Sequence, residues 1–188
     1  MTTYFTAGHG NRSIDEFVAL LKEAAIECLV DVRAYPASRR YPHFARAALE
    51  RSLGEAGIRY EWEGKALGGR RRPAADSPHV TLRSPAFRAY ADHMATAKFH
   101  GGIERIEAAA RSARLAIMCA ERLPWECHRF LISDYLVSQG ATVVHLVNAG
   151  ARREHRLNPI ARLEGGQARL RRQNPGRSGT LTIIGRAA

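Results

Sequence analysis

The chain has 188 residues, 45% of them hydrophobic and 25% charged, with a formal net charge of +11. This length can bury a real core as one compact domain, and the composition excludes a disordered or fibrous chain. No apolar run approaches the roughly 20 residues of a membrane-spanning helix, and three cysteines are too few for a disulfide framework.

The first predicted strand is Tyr4 to Ala7, ending in Gly8-His9-Gly10-Asn11-Arg12. Ser13 with Glu16 makes a capping box for a helix whose apolar face is Phe17, Leu20 and Leu21. Glu27 to Arg33 reads as a second strand stopped before Pro36, and a helix follows from Ala45 to Ala56 with Gly57 as its stop. Ile58 to Trp62 alternates like an edge strand. Residues 64–78, rich in Gly, Arg and Pro, read as a loop. Ser84-Pro85 opens a helix to about Lys98, and a further helix is expected from Gly102 to Arg111.

Leu115 to Cys119 is an apolar run of the kind that forms a buried strand, and Trp125 to Gln139 reads as an amphipathic helix. Thr142 to Val147 is a further core strand. Ala161 to Leu163 and Ala168 to Leu170 flank a Gly-Gly turn as a hairpin, and Thr180 to Ile184 adds a last strand. No internal repeat is present. The alternation of strands and helices predicts a three-layer α/β fold, with a mainly parallel sheet and helices on both faces. Residues 1–150 form the α/β domain, and residues 151–188 a basic extension packed on it. Right-handed crossovers would bring His9, Arg33, Cys119 and His145 to one edge of the sheet.

That edge is where the chemistry-bearing residues gather. Asp31 and Arg33 project to one side of their strand, and so do Cys119 and Glu121. Ionisable groups at the mouths of apolar strands are costly unless paired. Cys119 is a nucleophile if His128, Arg129 or the following helix lowers its pKa, and otherwise a small core residue. An arginine six residues after the cysteine would mark a phosphatase loop, but Trp125 stands there. Cys119, Cys127, His128 and His145 are of zinc-ligand type. However, no Cys-x-x-Cys pair exists, and adjacent Cys127-His128 would rarely both hold one ion, so no metal ligand is assigned. Arg33, Arg39, Arg40 and Arg129, with the amides of Gly8-His9-Gly10, offer an anion cradle. Cys28 and Trp62 read as packing residues.

The positive charge is almost all arginine, since the chain has only three lysines. Beyond Gly150, nine arginines face Glu154 and Glu164. Such a surface favours nucleic acid, nucleotides or phosphate, and it also matches a general compositional bias. The opening residues Met1 to Phe5 lack the parts of a signal peptide, which with the cysteine count predicts a cytoplasmic protein.

Several segments together are similar to the family known as domain of unknown function 488. They are Thr6 to Asn11, Leu29 to Ser38, His43-Phe44, Gly57 to Tyr60, Leu67 to Gly69, Met118 to Glu121 and Cys127 to Arg129. The family pattern has serine where this chain has Gly10, so no hydroxyl is available there. The resemblance runs from Tyr4 to Val147 and implies an α/β fold, but no reaction and no cofactor. The residues then predict an enzyme pocket for an anionic nucleotide or nucleic-acid-derived substrate. Cys119, Glu121, His128 and Asp31 are its catalytic candidates, and His9, Asn11, Arg33, Ser38, Cys127 and Arg129 its binding candidates. Two alternatives stand beside it: a non-enzymatic nucleic-acid-binding module using the arginine-rich C-terminal segment, and a metal-binding hydrolase.

Overall fold

The computed structural model describes residues 1–72, 74–80 and 82–158, with the backbone of residues 161–164 and 167–170. Five strands run parallel: β1 (Thr3–Gly8), β2 (Cys28–Asp31), β3 (Arg59–Trp62), β4 (Leu115–Cys119) and β5 (Thr142–Asn148). β6 (Ala151–Glu154) turns back antiparallel on β5, and the sheet order is β3-β2-β4-β1-β5-β6. The helices are α1 (Ile14–Glu23), α2 (Arg46–Glu55), α3 (Gly64–Leu67), α4 (Pro85–Met94), α5 (Ala97–Ala110) and α6 (Arg129–Ser138). β7 (Ala161–Glu164) and β8 (Gln167–Leu170) pair antiparallel, as the expected hairpin does. Among the described residues, no helix is long and apolar enough to cross a membrane.

The period-two alternation of the strands builds two cores. In β4, Leu115, Ile117 and Cys119 pack with Ile103 and Ile106 of α5 and Leu131 and Leu136 of α6. Ala116 and Met118 pack instead with Phe17 and Leu21 of α1 and Leu49 and Leu53 of α2. The result is a three-layer α/β fold. A strand covered on both faces has no polar side, which is why Leu115 to Cys119 is apolar throughout. α1 starts as predicted: Ser13 Oγ accepts from the Glu16 amide at 3.1 Å, and Glu16 Oε2 accepts from the Ser13 amide at 2.8 Å. Phe17 and Leu21 are then fully buried, each contributing roughly 1.5–3 kcal/mol of hydrophobic stabilisation.

The structure departs from the sequence reading in five places. Residues 64–78 open with α3 rather than a loop, and α5 begins five residues earlier than Gly102, where Thr96 Oγ1 accepts from the Phe99 amide at 3.3 Å. Gly102 lies inside α5 because α3 packs against it: a Cβ there would sit 2.8 Å from Leu67 Cγ and 2.9 Å from Ala66 Cβ. Close approach therefore outweighs glycine's poor helix propensity. The helix expected from Trp125 is first a 3-10 turn, Pro124–Glu126, and Cys127 is extended at φ −135, ψ 146 before α6 begins. β6 was not expected; Gly150, at φ +68, permits the reversal that follows Asn148. Finally, His145 sits in mid-strand opposite Thr6, not at the strand end. The strand expected at Thr180 to Ile184 lies outside the described residues.

Candidate functional site

The chain leaves β1 and β2 towards α1 and α2 on one face of the sheet, and leaves β4 towards α6 on the other. Where connections part in this way, a crevice opens at the carboxyl ends of the strands. Backbone pairing continues past the strands: the His9 amide donates to Cys119 O at 3.2 Å, the Gly10 amide to Ala120 O at 2.8 Å and the Val32 amide to Met118 O at 3.0 Å. His9, Arg33 and the segment from Cys119 to Glu121 are thereby set side by side. The same bonds correct the anion cradle expected from the loop amides, because the amides of His9 and Gly10 already serve β4.

A cavity of about 490 Å³ occupies the crevice. Its lining includes His9, Arg33, Ser38, Cys119, Glu121, Cys127 and His128. At its base, Cys119 Sγ donates to Glu121 Oε2 at 3.0 Å. His128 Nδ1 lies 3.7 Å from Cys119 Sγ and 3.7 Å from Cys127 Sγ, while its Nε2 faces the Val32 carbonyl at 3.3 Å. In the neutral ring, which burial favours, an Nε2–H donated to that carbonyl leaves Nδ1 with its lone pair towards the sulfurs. Cys119 and then Glu121 outweigh burial and raise the His128 pKa, so the protonated ring, where Nδ1 donates instead, is also favoured by its neighbours. The two sulfurs and Nδ1 all lie within 4.8 Å of one another. The adjacency of Cys127 and His128 is no obstacle to this, because the extended backbone at Cys127 followed by helical backbone at His128 turns both side chains inward.

The Cys127 thiol, and then burial, push the Cys119 thiol well above its ordinary pKa. Burial opposes ionisation of Glu121, but bonds from Cys119 and from its own amide hold its carboxyl below the usual range. Cys119 is therefore a neutral thiol donating to a carboxylate. The expectation that Arg129 would favour a thiolate meets a different geometry: NH1 of Arg129 donates to Glu121 O at 2.7 Å and NH2 to Arg122 O at 2.9 Å. Arg129 is only 1% exposed and holds the loop from beneath, outside the cavity.

The wall opposite is built on Asp31, which is fully buried and binds Arg33 along one guanidinium edge. Burial disfavours the charged Arg33, but Asp31 outweighs it and raises the pKa, so the guanidinium stays charged. Its NH1 approaches His9 Nε2 at 3.5 Å. Burial and the Arg33 charge push His9 down to about 4, so the ring is neutral; it stacks on Phe44 at 4.2 Å. Ser38 lines the cavity, with its Oγ accepting from the Tyr41 amide at 2.9 Å. Asn11 is exposed, off the lining, and accepts from Arg122. His145 belongs to a separate buried chain, bonded to Thr6 Oγ1 at 2.7 Å and to His155 at 2.9 Å.

Some site residues were missed by sequence reasoning. Tyr60 donates to Asp31 Oδ2 at 2.8 Å across β2 and β3, a contact that only the strand pairing creates. Gly69 packs on His128, and a Cβ there would lie 2.4 Å from Nδ1. Its signal was the Gly68-Gly69 pair. Arg40 and Arg70 stand at the rim, over the rings of Tyr41 and Tyr35 at 5.4 and 5.8 Å.

The family model described as Domain of unknown function DUF488 matches residues 13–136. No curated protein and no solved structure matches the chain.

Proposed function

Because the chain belongs to the Domain of unknown function DUF488 family, whose description names no activity, we propose a function from its own geometry. The cavity is the pocket of an enzyme that binds a small anionic, nucleotide-like substrate and moves protons through Glu121. The observation that carries this reading is the meeting of Arg33 with Cys119, Glu121 and His128 on one cavity of about 490 Å³. That size suits a small molecule, and charged groups converging on a concave site are the default candidate for function.

Arg33 supplies a fixed positive charge, and the exposed Arg40 and Arg70 add to it at the mouth. Tyr35, Tyr41 and Phe87 lie among these cations and present aromatic faces on which a base can stack. Asp31 positions Arg33 and is too deep to meet substrate. Glu121, ionised and already accepting a proton bond from Cys119, is the group best placed to accept a proton in the reaction. The nucleic-acid-module alternative draws on residues 151–188, of which 159–160, 165–166 and 171–188 are outside the described residues, and no described contact favours it.

Calorimetric titration with nucleoside monophosphates and inorganic phosphate at low salt tests the proposal. Binding should weaken as salt rises, and by about tenfold in Arg40→Ala/Arg70→Ala, in line with roughly 1.4 kcal/mol for the two charge contacts. Absence of binding by any of these anions at low salt overturns it.

A further inference from the structure

We infer that Cys119, Cys127 and Nδ1 of His128 form a site for a single zinc-type divalent ion, with the remaining coordination position open to the cavity. The inference uses the cavity of the proposed enzyme but does not depend on its substrate.

Three independent features carry it. The first is spacing. Bonds of about 2.3 Å to sulfur and about 2.0 Å to nitrogen in a tetrahedral site place sulfur and nitrogen about 3.5 Å apart. Both sulfurs stand 3.7 Å from Nδ1. The second is the outer shell. A ligating histidine normally donates its other N–H to a carbonyl or carboxylate, and Nε2 of His128 faces the Val32 carbonyl. The Arg129 amide also donates to Cys127 Sγ at 3.5 Å, from the first turn of the ten-residue α6, and so orients that sulfur. The third is room. Cys119, Cys127, His128 and Gly69 all line the cavity, so the position beside the three ligand atoms opens to it.

Two cysteines and one histidine make a three-ligand set, which is the pattern of zinc sites that keep one position for water or substrate. Glu121 borders that position through its contact with Cys119. Binding would release the protons of the Cys119 and Cys127 thiols to solvent, and Glu121, losing its present donor, would be left with a free acceptor oxygen at the open position.

The test is titration of the full, reduced, metal-free chain with Co²⁺, read by thiolate-to-cobalt charge transfer and the strong visible bands of a tetrahedral site. We expect one Co²⁺ per chain, displaced by Zn²⁺. Affinity should fall by more than about 100-fold in Cys127→Ser, since even an outer-shell change costs 10–100-fold. It should be unchanged in Cys28→Ser and weakened in Gly69→Ala, which keeps all three ligand residues but presses a Cβ on the His128 ring, its fold being checked by circular dichroism. Azide should shift the visible bands through the open position. No charge-transfer band, equal binding by Cys127→Ser, or a spectrum insensitive to azide each overturns the inference. So does a reduced protein that takes no metal but joins Cys119 to Cys127 on mild oxidation. Because metal is read without substrate, and anion binding can be read on the metal-free chain, failure of this site is distinct from failure of the proposed pocket.

Discussion

Asp31 holds Arg33 along a whole edge of the guanidinium, with Nε 2.9 and 3.1 Å from the two carboxylate oxygens and NH2 2.6 Å from Oδ2. The Arg33 amide also donates to Oδ1 at 2.9 Å. The pair is buried, so its attraction is offset by the cost of removing both charges from water, and its main effect is to fix where Arg33 points.

Removing one partner is a different matter, because the other charge is left buried alone. Asp31→Ala should lower stability by about 3–5 kcal/mol in urea unfolding. A loss under about 1 kcal/mol, the range of an exposed pair, would mean that water reaches Arg33 freely. Such a result would remove the fixed cation from the proposed pocket.

The join between β1 and the loop after β4 is equally sensitive. A Cβ on Gly8 would lie 1.8 Å from the Glu121 carbonyl oxygen and 2.8 Å from NH1 of Arg129. Neither atom is the free end of a flexible chain, since Arg129 NH1 is itself bonded to that carbonyl. Gly8→Ala should therefore cost at least about 1–3 kcal/mol, the usual penalty of overpacking, and lower the melting temperature. A wild-type melting temperature would show that the loop has another way to sit.

Acid should destabilise the protein through two histidines. Burial, followed by Arg33, pushes His9 down to about 4; burial, followed by His155, pushes His145 down to about 3. Both are neutral in the folded chain, whereas the unfolded chain takes up these protons near 6.5. Their contribution is thus fully present above that value and is lost as pH falls towards 4 and 3. Between those limits each histidine adds a slope of about 1.4 kcal/mol per pH unit. Urea midpoints across this range measure it, and His9→Gln should remove one histidine's share. An unchanged slope in that variant would mean that His9 is protonated in the folded state.

Thiol chemistry should separate the cysteines by access and by pH. Cys119 meets the cavity, while Cys28 is fully buried and burial raises its pKa. In reduced, metal-free protein Cys119 should alkylate before Cys28, slowly at neutral pH and roughly tenfold faster per pH unit as thiolate forms. Rate-resolved peptide mapping would show this. Fast, pH-independent modification of Cys119 would mean that it is already a thiolate, contrary to its bond with Glu121.

The alternation and capping signals were sufficient to place most elements. Ser13 with Glu16 starts α1, Gly57 (φ +77) follows α2, and the apolar run at Leu115 is the buried strand β4. These are local effects, decided by backbone conformation, hydrogen bonds to nearby amides and the solvent preference of neighbouring side chains. From them follow the parallel sheet and the gathering of Arg33, Cys119 and Glu121 at one edge. What each side chain does at that edge was not local. Arg129 turned from anion ligand to loop anchor because two carbonyls lie within its reach. The thiol of Cys119 became a donor because Glu121 folds back onto it. Asn11 left the cavity, while Tyr60 and Gly69 entered the site from other elements. Cys127 and His128 face one point only because the chain is extended at the first and helical at the second. Sequence settles which groups are available and near which strand end, since periodicity and caps act over a few residues. Partnership between groups far apart in the chain depends on distances that exist only once the layers have packed.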